Sequence, residues 1–98
     1  MRYQVYQCLK PEIRRELGFS NKLPLREDFT LVYESEIPGG RDDQVVLDEL
    51  FELHNLQHRP NPQGMTSMSV GDVVVLENRA YQCDRIGWKV IPHWGEST

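Results

Sequence analysis

The chain has 98 residues, of which 39% are hydrophobic and 27% charged, as expected of one small folded domain spanning residues 1–98. The longest apolar run, residues 73–76, is far too short for a membrane helix. Two cysteines, Cys8 and Cys83, are too few for a disulfide scaffold, and residues 1–9 lack the apolar core of a secretion signal. We therefore expect a cytoplasmic protein with reduced thiols.

The net charge of −4 is unevenly distributed. Residues 10–26 carry five basic and two acidic side chains, whereas residues 27–55 carry nine acidic side chains and one arginine. Phosphate contacts dominate the affinity of proteins for nucleic acids, so the acidic middle argues against general nucleic-acid binding. A charged run of this kind usually forms a solvated helix face, which is what we expect of the basic block.

The N-terminal residues predict a strand followed by a short helix. Residues 2–9 alternate polar and apolar side chains and carry an apolar pair on each face, which indicates a strand buried on both sides. Residues 10–17 predict a helix of two turns, because Ile13 and Leu17 lie four residues apart on one face. Gly18 follows where a left-handed helix cap is common. Such a short helix is unstable alone, so we expect it to dock on the sheet.

The middle of the chain predicts a second strand, over residues 29–37, and a longer helix. One face of this strand is shared by Phe29, Leu31, Tyr33 and Ser35. Asp42 is a good N-cap for a helix over residues 43–56, because its carboxylate can accept free backbone N–H groups. The helix has an apolar stripe of Val46, Leu47, Leu50, Phe51 and Leu53, and an outer face of Asp48, Glu49 and Glu52. Residues 57–66 predict a loop.

The C-terminal third predicts a β-meander. Its first strand, residues 73–76, is apolar on both faces and is therefore expected at the centre of the sheet. Residues 80–84 and 88–91 predict the next two strands, and Asn78 suits a positive φ in the first connecting turn. We expect residues 93–98 to form a flexible tail.

These elements predict an α+β fold. It has a mostly antiparallel sheet of about five strands, with one longer and one short helix on a face. A partly closed barrel is the alternative, because a Val-Gly-Asp-Val segment that leads into a meander, as at residues 70–73, also occurs in small barrels.

Metal binding is the first chemical hypothesis that we weighed. His54 and His58 have the i,i+4 spacing that places two imidazoles on one helix face, and Cys8, Cys83 or His93 could complete a zinc site. A second paired-ligand motif is missing from the sequence, and Pro60 suggests that the helix has ended before His58. We therefore expect no bound metal.

Nucleophilic catalysis is the second chemical hypothesis. Cys83 could act with Arg85 and a histidine, but its alternation with Tyr81 predicts a buried structural thiol. Ser67, Ser69 and Asp72 lack the Gly-x-Ser-x-Gly elbow of hydrolases. The sequence also lacks a phosphate-binding glycine loop, since Gly39-Gly40 predicts a turn, so we expect no cofactor.

Residues 67–72 are expected to build the entry to the central strand. The Asp72 carboxylate should accept local N–H groups, and Gly71 should relieve backbone strain. On this interpretation Asp72→Ala costs about 1–2 kcal/mol. The alternative is a partner-binding surface made of Met65, Ser67, Met68, Ser69 and Asp72.

Short motifs in a fixed order run along nearly the whole chain. They are Val5-Tyr6-Gln7, Val32-Tyr33-Glu34, Leu50-Phe51 with Asn55, Arg59-Pro60, Gly64, Ser67-Met68-Ser69-Val70-Gly71-Asp72-Val73-Val74, Tyr81-x-Cys83-Asp84 and Gly87-Trp88. This order resembles the YodL-like domain family of small bacterial proteins and modules common in conjugative and other mobile elements. The chain departs from the family pattern at His54, at Met65-Thr66 and at Trp88. The resemblance implies no reaction, cofactor or catalytic residue.

We therefore expect a non-enzymatic interaction domain whose partner is another protein, with no membrane contact. The rival hypothesis is a nucleic-acid-binding protein that uses residues 10–26, with Tyr3 or Tyr6 as a stacking group.

Overall fold

The computed structural model describes residues 1–17, 24–55 and 65–94. Within these ranges the chain forms five strands, two α-helices and a short 3-10 turn over Arg26–Asp28. The elements are β1 (Arg2–Gln7), α1 (Pro11–Leu17), β2 (Thr30–Glu36), α2 (Asp43–Leu53), β3 (Val73–Leu76), β4 (Arg79–Cys83) and β5 (Trp88–Val90). These bounds agree with the predicted elements to within three residues.

The five strands form a sheet in the order β2-β1-β3-β4-β5, and every neighbouring pair is antiparallel. This arrangement confirms the predicted α+β fold. It also confirms the central place of β3, all of whose residues are buried. Among the described residues β2 and β5 are the two edges, so the sheet is open and the partly closed barrel was the wrong alternative.

The two helices lie against opposite faces of the sheet, although we expected them on a face together. The first core cluster joins α2 to one face of β1, β3 and β4, and comprises Tyr3, Val5, Val46, Leu47, Leu50, Met65, Met68, Val74, Leu76 and Tyr81. The second cluster covers the other face and comprises Tyr6, Cys8, Phe29, Val73, Val75, Ala80 and Ile91, with Ile13 and Leu17 of α1 packed against it. Alternation along β1 and β3 supplies both clusters, because successive side chains of a strand point to opposite faces.

A β-bulge in β2 overturns the prediction that Phe29, Leu31, Tyr33 and Ser35 share one face. Val5 of β1 is opposite Tyr33, but the next residue of β1 is opposite Leu31, so Val32 is the extra residue. A shift of one residue sends the following side chains to the other face. Phe29 therefore lies in the second cluster, whereas Tyr33 packs against the first.

Helix α2 begins as predicted, with the Asp42 carboxylate accepting a hydrogen bond from the Gln44 N–H at 3.1 Å. Its first turn is tied to β4, because the Asp43 carboxylate accepts two hydrogen bonds from the Arg79 guanidinium and one from the Tyr81 hydroxyl. These hydrogen bonds, led by those from Arg79, hold the pKa of Asp43 below its usual range.

The buried stripe of α2 is narrower than predicted. Val46, Leu47 and Leu50 are buried, whereas Phe51 and Leu53 stay 36% and 37% exposed. The helix ends at Leu53 rather than at residue 56, and the side chain of His54 is the next one to be fully buried. The buried face of α2 thus continues past the end of the helix through the His54 side chain. Hydropathy alone does not predict that this histidine is buried.

The two ends of the meander also differ from expectation. The positive φ of the first turn falls on Glu77, at 55°, and not on Asn78. At the start of the predicted flexible tail, residues 93–98, the Trp94 ring packs edge-on against Tyr6 and Phe29, with ring centroids 5.7 and 5.2 Å apart. Trp94 thereby closes the second cluster.

Several predictions concern residues outside the described ranges. They are the cap at Gly18, the loop over residues 57–64, the role of His58 and the end of the tail at residues 95–98. In the part of the chain that the structure describes, no helix has the length and apolar character that crossing a membrane requires.

Candidate functional site

The turn before β3 carries a buried carboxylate, that of Asp72, which accepts hydrogen bonds from three other residues. The carboxylate is 1% exposed, and the Arg14 guanidinium donates a hydrogen bond to its Oδ1 atom at 2.8 Å. The Gln7 amide and the Ser69 backbone N–H each donate to its Oδ2 atom at 3.0 Å. The predicted local contact of Asp72 within the turn, with Ser69, is thus present. Gln7 of β1 and Arg14 of α1 also bond to the carboxylate.

Burial dominates the electrostatics of this carboxylate. Removal from water raises the pKa of Asp72, and the Arg14 charge and the hydrogen bonds from Ser69 and Gln7 act against that rise. Because Arg14 also donates to the Ser69 hydroxyl at 2.8 Å, it joins α1 to the turn by two side chains. This arrangement holds the sheet entry in place and offers no exposed acid for catalysis.

The backbone around Asp72 completes the entry to β3. Gly71 has φ +99°, which confirms the predicted strain relief, and its N–H donates to the Cys83 carbonyl at 2.8 Å. The Cys83 N–H donates in turn to the Asp72 carbonyl at 2.8 Å. The turn is thereby fixed to the end of β4, which sets the register of the central strand.

Two members of the proposed partner-binding segment are core residues. Met65 and Met68 are 8% and 3% exposed and belong to the first cluster, so they are not the exposed apolar contacts that this hypothesis requires. The Asn55 side chain fixes the segment to the end of α2 by hydrogen bonds to both backbone groups of Met68, at 2.8 and 3.0 Å. Ser67 is exposed, whereas Ser69 is half-buried and bonded to Arg14.

His54 lies inside the protein. Its side chain is fully buried, with Nε2 3.2 Å from the Tyr3 hydroxyl. The imidazole also packs edge-on against Tyr33, at 5.0 Å between ring centroids. No group of three or more potential metal ligands converges within residues 1–17, 24–55 and 65–94. His58 lies outside those ranges, so the expectation that no metal binds stays a prediction.

Cys83 is surrounded by groups that disfavour a thiolate. Burial raises the pKa of its thiol to about 12, and the carboxylates of Asp72, Asp84 and Asp48 add to the rise. A nucleophilic cysteine requires the opposite surroundings, namely cations and a lowered pKa. Cys8 is also buried, and both thiols are free.

We expect Cys83 in the folded protein to react with iodoacetamide at about pH 8 roughly 1000-fold more slowly than an ordinary cysteine. The reactive species is the thiolate, and a pKa of about 12 in place of 9.0 reduces its population by about three orders of magnitude. Mass spectrometry of proteolytic peptides after timed labelling measures the rate, and the urea-unfolded chain is the control. Equal rates in the two states would contradict the assignment of Cys83 as a structural thiol.

Two cations of the basic segment, Lys10 and Arg14, make internal contacts, whereas Arg15 is exposed. The Lys10 ammonium bonds to the Asp28 carboxylate at 2.8 Å, and Arg14 is paired with Asp72. Arg14 is therefore a network residue and not part of the solvated face that its sequence context predicts. In the sequence, the polar Gln7 within a buried strand was the one sign of a buried polar network. The contact between Gln7 and Asp72 is seen only in the structure.

The two tyrosines proposed for stacking on bases are both covered. Tyr3 is 2% exposed, within the first cluster. Tyr6 is 8% exposed, with the Arg26 guanidinium 4.5 Å above its ring centroid. Neither ring presents a free face of the kind that a base would need.

Three exposed apolar side chains and the half-buried Trp88 lie at or beside the open edge of the sheet at β5. We call Phe51, Ile86, Trp88 and Val90 the edge patch. Phe51 of α2 meets Trp88 edge-on, with ring centroids 6.5 Å apart, whereas Ile86 and Val90 are 94% and 65% exposed. The hydropathy pattern alone did not predict this patch. The signal that could have revealed it is an isoleucine within a short polar turn.

The buried polar side chains are thus bonded inside the protein, and the edge patch lies at the rim of the sheet. No curated protein and no solved structure matches the chain. The family model of the YodL-like domain matches residues 1–94. The match covers nearly the whole chain, and this chain therefore belongs to the YodL-like domain family.

Proposed function

We propose that this domain is a non-enzymatic interaction domain that binds another protein in the cytoplasm. The observation that carries the proposal is a contrast in exposure. Asp72, His54 and Cys83, which could do chemistry, are buried and bonded internally, whereas the edge patch leaves large apolar side chains exposed. Exposed apolar groups gathered in one place on a small domain are typical of contact sites for other proteins.

The proposed setting comes from the family resemblance. The motif order is similar to that of modules carried by conjugative and other mobile elements of bacteria. We accordingly include in the proposal that the partner is a protein of such an element, or a host protein that the element contacts.

The geometry gives less support to nucleic-acid binding through residues 10–26. Two of its cations, Lys10 and Arg14, are paired with carboxylates, and the tyrosines that would stack on bases are covered. Binding to phosphates depends on cations that are free to replace counterions.

Two binding measurements test the proposed function. The full chain, immobilised and exposed to an extract of its source cell, should retain a protein that binds it again when both are purified, with saturation at a fixed ratio. Retention of the chain on DNA or RNA at low and moderate salt should stay weak. Strong retention that falls steeply with salt, without a protein partner, would overturn the proposal in favour of nucleic-acid binding.

A further inference from the structure

We propose that the free edge of β5 binds an extended segment of the partner, with alternating apolar side chains and several basic residues, as an added strand. The inference rests on the proposed function and names the site and the kind of peptide. Strand addition to an open sheet edge obtains affinity from backbone hydrogen bonds and specificity from alternate side chains.

The first support is the direction of the backbone groups of β5. The Ile91 N–H donates to β4 at 2.9 Å, and the Gly87 carbonyl accepts from the residue after β4 at 2.9 Å. Hydrogen-bonded residues alternate along an antiparallel ladder, so Lys89 directs its backbone groups towards β4. Trp88 and Val90 then direct theirs away from the sheet. No strand among the described residues lies beyond them.

The second support is the difference between the two sheet edges. The opposite edge, β2, is interrupted by the bulge at Val32 and carries Glu34 and Glu36, which are common protections against added strands. In β5 the pairing is regular, and its side chains do not include a carboxylate. β5 is three residues long with Lys89 at its centre, and both features also protect an edge, but its ladder is unbroken, so of the two described edges it is the better fit for an added strand.

The third support is the apolar surface beside this edge. Trp88 packs against the first cluster and meets Phe51 of α2, and Val90 points to the same face as Trp88, whereas Lys89 points to the opposite face. Ile86 extends the apolar surface at the turn, where it is 94% exposed. A peptide paired with β5 would place every second side chain on the face of Trp88 and Val90, so these side chains should be apolar.

The fourth support is the charge around the edge patch. Asp48 and Glu52 lie one turn apart on the exposed side of α2, three residues before Phe51 and one residue after it. Asp48 and Asp84 are near enough to Cys83, the residue opposite Trp88, to raise its pKa. Arg85 and Lys89 are the cations of the same stretch, but Lys89 points to the other face, so the three carboxylates favour a peptide with lysine or arginine on the face of Phe51 and Trp88. They disfavour a second copy of the chain, which would bring like charges together.

Selection from random peptides of about twelve residues, displayed on phage, tests the proposal with the full chain as bait. The expected winners alternate apolar residues and carry a net positive charge. A synthetic winner, labelled for fluorescence anisotropy, then serves as the probe. A selection without enrichment, or one that enriches acidic peptides, would overturn the proposal.

Val90→Pro is the sharpest variant, because it removes an N–H that points away from β4 and leaves the β4–β5 ladder intact. We expect it to weaken probe binding about tenfold or more with an unchanged thermal midpoint, as loss of one essential hydrogen bond predicts. Val90→Ala keeps the N–H and should weaken binding about threefold. Asp48→Lys should also weaken binding. Equal affinity of Val90→Pro and the wild type would overturn the proposal.

A probe carrying N-methyl groups gives a readout that does not depend on how the variants fold. Methylation of alternate amides should abolish binding at the positions that pair with β5 and leave it intact at those between, because only the former donate to the strand. Loss at every position, or at none, would contradict strand addition. A dimer of the chain that Val90→Pro dissociates would also contradict it, by making the occupant a second copy.

The two proposals fail in different ways. A protein partner whose affinity is unaffected by Val90→Pro and Asp48→Lys leaves the interaction function standing and removes the β5 site. A chain that binds neither a protein partner nor a selected peptide removes both.

Discussion

Arg14→Ala should lower the free energy of unfolding by about 2–4 kcal/mol at neutral pH. The change removes the cation from a carboxylate that is 1% exposed, and leaves Asp72 with hydrogen bonds but no opposite charge beside it. Loss of one partner from a fully buried ion pair costs about 3–5 kcal/mol. The lower range applies here because the Arg14 side chain is 28% exposed and keeps part of its hydration.

The cost of Arg14→Ala should shrink as the pH falls. The pKa of Asp72 is raised in the folded state, so its contribution to stability is fully present below the unfolded pKa, near 3.8, and is lost as the pH rises through the folded value. Arg14 lowers this pKa, so the variant should have a higher pKa for Asp72 and lose stability over a wider pH window. The difference between the two proteins is therefore expected to be smallest in acid.

Urea unfolding of both proteins between about pH 4 and pH 8 measures this dependence. Arg15→Ala is the matched control, because Arg15 is the exposed neighbour on α1 and should change stability by less than about 0.5 kcal/mol. Asp72→Ala should cost about 2–3 kcal/mol, more than its turn contacts alone predict, and the double variant should cost less than the sum of the two. An Arg14→Ala cost that is independent of pH would argue against the ion pair.

Gly71→Val should destabilise the protein by about 3 kcal/mol or more. The residue has φ +99°, a conformation that β-branched residues rarely adopt, so the strain arises whatever space is available. A Cβ at this position would also lie 3.4 Å from the Cβ of Leu17, against the end of α1. The extra atoms of valine would push α1 away from the turn that Arg14 holds.

A second glycine, Gly40, serves as the control that shows backbone strain without a steric contact. Gly40 has φ +80°, and a Cβ built there would meet no other atom within 4 Å. Gly40→Val should therefore show the backbone strain alone, and its loss of thermal stability should be smaller than that of Gly71→Val. If the two variants melt at the same temperature, the packing of α1 against the turn contributes nothing.

The sequence already contained the position of nearly every element. Period-two alternation marked β1 and β3, Asp42 marked the start of α2, and the positive φ expected of Gly71 is present at +99°. These features are local, since a strand alternates, a helix needs a cap and a turn needs a residue without a Cβ. The turn contacts of Asp72 with Ser69 belong to the same class, because the two residues are three apart in the chain.

The tertiary structure decided which face of the sheet each side chain occupies and which distant residues pair. The bulge at Val32 depends on the register with β1, and that register moved Tyr33 to the other face from Phe29. Arg14 meets Asp72 across 58 residues, a contact that no local pattern encodes. His54 has a polar side chain, but it is buried because Tyr3 and Tyr33 surround it.

Exposure distinguishes the predicted partner-binding segment from the edge patch. From hydropathy alone Met65 and Met68 resembled adaptable surface contacts, and β5 resembled any other strand of a meander. The chain folds both methionines under the end of α2 and leaves β5 without a neighbour on its outer side among the described residues. The sequence by itself thus determined the elements and the α+β class, because these follow from periodicity and turn chemistry. Only the tertiary structure decided which apolar side chains stay outside, because exposure depends on the order of the strands and on what packs across each face.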